Sequence, residues 1–217
     1  MILIEAAVET LDSALAAERA GASRIELCAK LSVGGTTPDA GLIAAVAERI
    51  RIPVFVMVRP RGGRFVYSND DIDAMSRDIE RATSIGTAGI VTGALTADDQ
   101  VDVRHTRTLL DAAAGLPVTF HRAFDVVPDP LIALEQLIDL GVSRVLTSGG
   151  AATAAEGADS IAALVDQTRG RIAVIAGGGI REHNARDVIA RTGVGEIHTR
   201  FIDEAGLRGL VDLVTRG

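Results

Sequence analysis

Short apolar runs rich in valine and isoleucine recur at residues 1–8, 24–28, 53–59, 89–94, 117–122, 143–148, 171–177 and 196–200. Their spacing, roughly 27 residues, suits alternating strand and helix units. Between them, apolar residues fall three and four apart, as in Leu131, Leu134, Leu137 and Ile138 or Leu207, Leu210, Val211 and Val214. That period predicts helices with one buried stripe. Four segments also share one phrase, a glycine followed at fixed offset by a strand: Gly21 to Cys28, Gly86 to Gly93, Gly141 to Ser148 and Gly193 to Arg200. Glycine closes a helix cheaply in the left-handed conformation, so the phrase reads as helix end, then strand, four times over. Near-continuous apolar strands alternating with amphipathic helices imply a parallel sheet covered by helices. Eight such units in 217 residues predict an α/β fold, a single TIM (β/α)8 barrel domain spanning 1–217.

Aligning the four repeated strands shows which way their side chains point. The column Ile25, Ile90, Val145, Ile197 is branched and apolar and suits the face under the helices. By the period of two, Glu26, Val91, Leu146 and His198, then Cys28, Gly93, Ser148 and Arg200, face into the barrel. In the other strands the same test turns Glu5, Met57, Arg59, His121, Ile175 and Gly177 inward. Two carboxylates, an arginine and two histidines thereby gather where barrels of this type carry their sites. A structural barrel would fill such positions with Val, Ile and Leu, because unpaired buried charge is costly. The packing alternative is an inert ion-pair plug of Glu5 or Glu26 with Arg59.

Charge and composition narrow the function. A net charge of −7, with one lysine, Lys30, and no basic run, speaks against nucleic acid. No apolar run reaches membrane-spanning length, and the start Met-Ile-Leu-Ile-Glu lacks a signal-like pattern, so a cytoplasmic protein without a membrane partner is expected. One cysteine, Cys28, excludes an intrachain disulfide and fits a reducing compartment.

Three strand ends carry candidate chemistry. Val118-Thr-Phe-His-Arg-Ala-Phe-Asp125 offers His121 as a general acid/base titrating near neutrality, Arg122 on the alternate face, and Asp125 either as an orienting carboxylate or as the opening of the next turn. Val58-Arg-Pro-Arg-Gly-Gly63 offers Arg59 and Arg61 as a bidentate clamp for carboxylate or phosphate. In Ala176-Gly-Gly-Gly-Ile180, the amides of Gly177, Gly178 and Gly179 lie before a helix and could hold an anion, with Ser148 adding a hydroxyl. Glu5 and Glu26 complete an acid/base set with His121, and His198 faces the same mouth. This supports an enzyme acting on a small anionic or phosphorylated metabolite. No nucleotide cofactor is expected, because the first strand ends Glu5-Ala-Ala-Val8 without glycines. Cys28 and Met57, inward on neighbouring strands, are either core fillers or soft donors suited to Cu(I).

Taken together, Arg24-Ile-Glu-Leu-Cys28, Gly34-Gly-Thr-Thr-Pro38, Val54 to Gly63, Gly93-Ala-Leu-Thr96, Val118 to Asp125, Arg144 to Gly149 and Gly177 to Ile180 closely resemble the CutC family of copper homeostasis proteins, in order from Ile4 to about His198. The resemblance implies a cytoplasmic, homo-oligomeric TIM barrel linked to copper tolerance and, in some members, to Cu(I) binding. It carries over Glu5, Glu26, Cys28, Arg59, Arg61, His121, Arg122, Asp125 and the turn Gly177 to Gly179. Two departures stand out. Copper-associated relatives with a second cysteine have a Glu-Val-Cys pattern where this chain reads Glu5-Ala-Ala7, and the family's strand 8 serine is replaced in His198-Thr-Arg200. The partner is therefore expected to be either a copper ion or a small anionic metabolite.

Overall fold

The structure is a computed structural model that describes residues 2–215. Strands β1 (Leu3–Val8), β2 (Arg24–Leu27), β3 (Val54–Met57), β4 (Gly89–Thr92), β5 (Val118–Phe120), β6 (Arg144–Thr147), β7 (Ala173–Ala176) and β8 (Glu196–Arg200) form one closed, parallel barrel in sequence order. Helices α1 (Leu11–Arg19), α2 (Ala40–Arg49), α3 (Asn69–Ile85), α4 (Val103–Ala112), α5 (Pro130–Leu140), α6 (Ala158–Thr168), α7 (Glu182–Thr192) and α8 (Glu204–Thr215) wrap it. This is the TIM barrel the pattern predicts.

The repeated glycines do what the sequence suggests. Gly86, Gly141 and Gly193 end α3, α5 and α7 with φ of 92°, 85° and 70°, a region in which a side chain would be strained. Other termini are closed by side chains. Asp39 caps α2 through the Leu42 amide at 2.9 Å, and Ser68 exchanges hydrogen bonds with Asp71 at the start of α3. No helix among the described residues is long and apolar enough to cross a membrane.

Two apolar regions follow from the period of two. Ile25, Ile90, Val145 and Ile197 are fully buried in the layer between barrel and helices, together with Val54, Val56 and Val58. One member of the predicted α5 stripe, Leu131, turns outward and is 44% exposed, while Leu134 and Leu137 are buried. Inside the barrel, Cys28, Phe55, Met57 and Val91 form a separate, small cluster. Besides inward Leu146 and Ile175, the lumen carries charged groups. Its lower part holds Arg24, Arg144 and Glu196, with both arginines flanking the Phe55 ring at 5.0 and 4.9 Å. Phe55 has room because Gly89 opposite lacks a Cβ; one placed there would sit 2.3 Å from the ring.

Candidate active site

Strand register brings Glu5 level with Arg24 on one side and His198 on the other. Glu5 is 1% exposed, and it is fully engaged. Its Oε2 accepts from Arg24 Nε at 2.5 Å, while its Oε1 lies 2.8 Å from His198 Nδ1. Arg24 also donates to Glu196 at 2.6 Å. Burial alone would raise the Glu5 pKa, but the His198 hydrogen bond and the Arg24 charge outweigh it and hold the carboxyl at about 2. The plug alternative is thus half right: Glu5 is paired, though with Arg24 rather than Arg59.

Glu5 orients the next group. With Nδ1 of His198 directed at a carboxylate, Nε2 faces Glu26, whose Oε2 is 3.8 Å away. That gap is too long for a hydrogen bond. Glu26 is 3% exposed; its Oε2 accepts from the Cys28 thiol at 3.3 Å, and its Oε1 is buried without a hydrogen-bond partner. Burial, and then the nearby Glu5 charge, push the Glu26 pKa up against the opposing pull of His198. Burial works against a charged His198, yet Glu26 and the Glu5 hydrogen bond raise its pKa. Both shifts run upward, so the pair retains a proton more firmly than either group would alone.

Above this floor opens a cavity of about 540 Å³ whose wall includes Glu26, His198, Met57, Arg59, Phe65 and His121. Arg122, Asp125, Gly178, Gly179, Arg181 and Arg200 reach it from the later strand ends. It sits at the C-terminal ends of the strands, where such barrels bind ligands. A groove of similar volume, about 550 Å³, runs between α7 and α8 outside the barrel and involves none of the predicted site residues.

Several expectations are corrected by this geometry. His121 does not titrate near neutrality: burial, and next the charge of Arg59, lower its pKa to about 3, so it is a neutral imidazole. Arg61 is not in the mouth. It pairs with Asp71 at 2.7 Å, donates to the Val66 carbonyl and stacks on Tyr67, because Pro60 carries the chain outward. Asp125 has no free oxygen for proton transfer. It accepts from Thr147 Oγ1 at 2.5 Å, the Ser148 amide at 2.9 Å and Arg122 Nε at 2.6 Å, which makes it the clasp of the loop after β6. Ser148 is fully buried in the same clasp, its Oγ accepting from Arg122 Nη2 at 2.7 Å and lying 2.6 Å from the Ala151 carbonyl. Gly177 spends its amide on the Thr147 carbonyl and makes room for Leu146 and His198. Gly178 and Gly179 remain as amides at the mouth, with positive φ of 106° and 74°.

Arg59 is partly spent. Its Nη1 donates to the carbonyls of Val33 and Gly35, both at 3.0 Å, and Nη2 to Gly63 at 2.9 Å, stapling the loops after β2 and β3. Its Nε is buried without a hydrogen bond, and the guanidinium also pulls the Tyr67 phenol pKa down against the larger upward push of burial. Cys28 and Met57 share one buried cluster, with Sγ and Cε 3.2 and 3.4 Å from where a Gly35 Cβ would stand. Burial and the Glu26 carboxylate push the Cys28 thiol well above its usual pKa, so it is protonated. Arg24, Glu196 and Phe65 are the parts the sequence reading missed. Arg24 and Glu196 lie two residues before Glu26 and His198 on the same inward face, so one further step along each aligned strand finds them.

Comparison with known proteins adds the family. The CutC family model matches residues 2–203. The chain is 49% identical to the copper homeostasis protein cutC homolog of Homo sapiens, covering 95% of this chain and 76% of that one. It is 48% identical to a CutC family protein of Xanthomonas axonopodis pv. citri, covering 96% and 84%. The crystal structure of the copper homeostasis protein CutC from Streptococcus agalactiae superposes with a TM-score of 0.88 at 38% identity, covering 91% of this chain and 98% of that one.

Proposed function

The chain belongs to the CutC family, whose curated relatives are named copper homeostasis proteins, and on that premise we propose that its barrel mouth carries out acid/base chemistry on a small anionic metabolite. The observation that carries this reading is the pair on the cavity floor: Glu26, with a buried and unpartnered Oε1, faces His198 Nε2 across 3.8 Å while Glu5 holds the far side of the ring. A carboxylate with a raised pKa beside an oriented imidazole is the equipment of proton transfer. The anion preference is supported by Arg122, Arg181 and Arg200 around the mouth and by the amides of Gly178 and Gly179 at the end of β7. Neither a nucleotide cofactor nor nucleic acid has a place in this scheme. A lone, buried cysteine, Cys28, fits a reducing compartment such as the cytoplasm.

The test is to incubate the protein with a pool of small phosphorylated and carboxylate metabolites and follow their consumption by proton NMR. Wild-type protein consumes a member of the pool, and Glu26→Gln does so about 10²- to 10⁴-fold more slowly. Consumption unaffected by Glu26→Gln would sink the scheme.

A second reading has its own observation. Cys28 Sγ and Met57 stand together at Gly35, and a thiolate beside a thioether suits Cu(I). Binding there must displace the thiol proton that Glu26 and burial hold in place. Titration of reduced protein with Cu(I) under a competing chelator checks it: this reading predicts one-to-one binding that Cys28→Ser abolishes, and binding indifferent to Cys28 contradicts it.

A further inference from the structure

We propose that the mouth is built to stabilise an enolate, with His121 Nε2–H and Arg59 Nε–H as the cradle for the oxygen of an enolisable carbonyl compound. The inference rests on the acid/base reading above and names its substrate class and reaction.

His121 is fixed as a donor. Its Nδ1 accepts from the Ala123 amide at 3.2 Å, which leaves the ring proton on Nε2. That atom is buried without a partner, and the cavity is lined by the residue it belongs to. The ring plane is set by Phe65, at 5.0 Å between centroids, and by the edge of Phe120 at 6.0 Å. Gly93 leaves the space for it: a Cβ there would lie 2.8 Å from Nδ1. Arg59 is the second donor. Three backbone carbonyls and the face of Phe65, 4.7 Å from its central carbon, lock the guanidinium, which also acts on the buried Tyr67 hydroxyl, while its Nε makes no hydrogen bond of its own. A buried donor left without a partner forfeits its hydration with nothing in return. Two such donors, on residues that line one cavity and both pack on Phe65, are a costly arrangement unless a ligand oxygen completes them.

The kind of oxygen follows from the kind of donor. A neutral imidazole N–H is too weak an acid to give up its proton, so it donates a hydrogen bond and nothing more; the low pKa of His121 keeps it in that state. One neutral donor and one guanidinium edge suit a carbonyl oxygen that acquires charge, rather than a phosphate already carrying two. The base is Glu26. Its open Oε1 takes a proton from the carbon beside the carbonyl; the C–H electron pair becomes the C=C bond, and the carbonyl π pair moves onto the oxygen in the cradle. Return of the proton to the same carbon gives exchange, and its delivery to the former carbonyl carbon, with an adjacent hydroxyl proton moving to the cradle oxygen, gives an isomer. No oxidant, reductant or co-substrate is needed.

Oxalate, a planar dianion shaped like such an enolate, is the probe. Wild-type protein should bind it with the Nε2–H proton of His121 moving downfield in NMR, and His121→Ala should weaken binding by about tenfold or more. The wild-type NMR shift stands even if that variant fails to fold. Oxalate that binds without moving the His121 proton, or fails to bind a protein whose metabolite consumption still depends on Glu26, overturns the cradle and leaves the acid/base reading intact. Absence of both oxalate binding and Glu26-dependent consumption overturns the two together.

Discussion

Glu5 Oε1 lies 2.8 Å from His198 Nδ1, and this contact decides how the rest of the floor works. Arg24 keeps Glu5 ionised from below, Glu5 keeps the imidazole turned, and the imidazole presents Nε2 to Glu26. The order Arg24, Glu5, His198, Glu26 divides support from chemistry: the lower carboxylate has no free oxygen, and the upper one has.

The two glutamates should respond to the same change by very different amounts. Glu5→Gln removes one of the two carboxylates that Arg24 is buried against, and with it the charge facing His198, and should cost about 3–5 kcal/mol. For a chain of this size that is a fall in Tm on the order of 10 °C. Glu26→Gln keeps the shape at a position where burial already disfavours the charge, and should change stability by no more than about 1 kcal/mol. Thermal unfolding of the two variants side by side checks the contrast.

His121 should leave a mark on acid stability. Its folded pKa of about 3 lies below the ordinary 6.5, so between these values the unfolded chain binds a proton that the native protein does not. The stabilisation is therefore complete above pH 6.5 and is lost as pH falls toward 3, at up to about 1.4 kcal/mol per pH unit. Glu26 and His198 titrate in the same range with the opposite sign and are common to both proteins, so the His121 contribution is read as the amount by which the stability of wild type falls relative to His121→Gln in urea unfolding from pH 7.5 to 4.5.

Gly89→Ala tests the packing beneath the site. Its Cβ would lie 2.3 to 2.6 Å from Phe55 ring atoms, and Arg24 and Arg144 block the ring from sliding away. A loss of about 1–3 kcal/mol is expected from overpacking, measured by the urea midpoint.

Asp125→Asn tests the clasp. An amide nitrogen can no longer accept from Arg122 or Ser148, and a loss of roughly 2 kcal/mol is expected. Hydrogen exchange should accelerate at the Ser148 amide, which Asp125 Oδ1 holds at 2.9 Å.

The barrel was legible because glycine offset and strand alternation are local signals. The same alternation turned Glu26, His198 and Cys28 inward correctly, since side-chain direction along a strand follows from the period alone. What failed needed three dimensions. Arg59 and Arg61 are two residues apart and look alike in sequence, but the turn at Pro60 sends one to the lumen and the other to Asp71. Asp125 looks like an available carboxylate until the loop after β6 folds its amide and hydroxyls onto it. The character of His121 depends on closure of the wall by Phe65 and Arg59, which no spacing rule contains. Arg24 was within reach of the alternation argument, one step below the columns used.

The most direct test of this account is an NMR pH titration of protein labelled with ¹⁵N in its histidine rings. His198 should titrate above 6.5, while His121 should stay neutral with its proton on Nε2 down to about pH 4. That result would establish a proton-bearing pair and a fixed donor on the walls of one cavity. A His121 that titrates near 6.5, or a His198 with a pKa below that value, would contradict the division of roles on which the proposed chemistry stands.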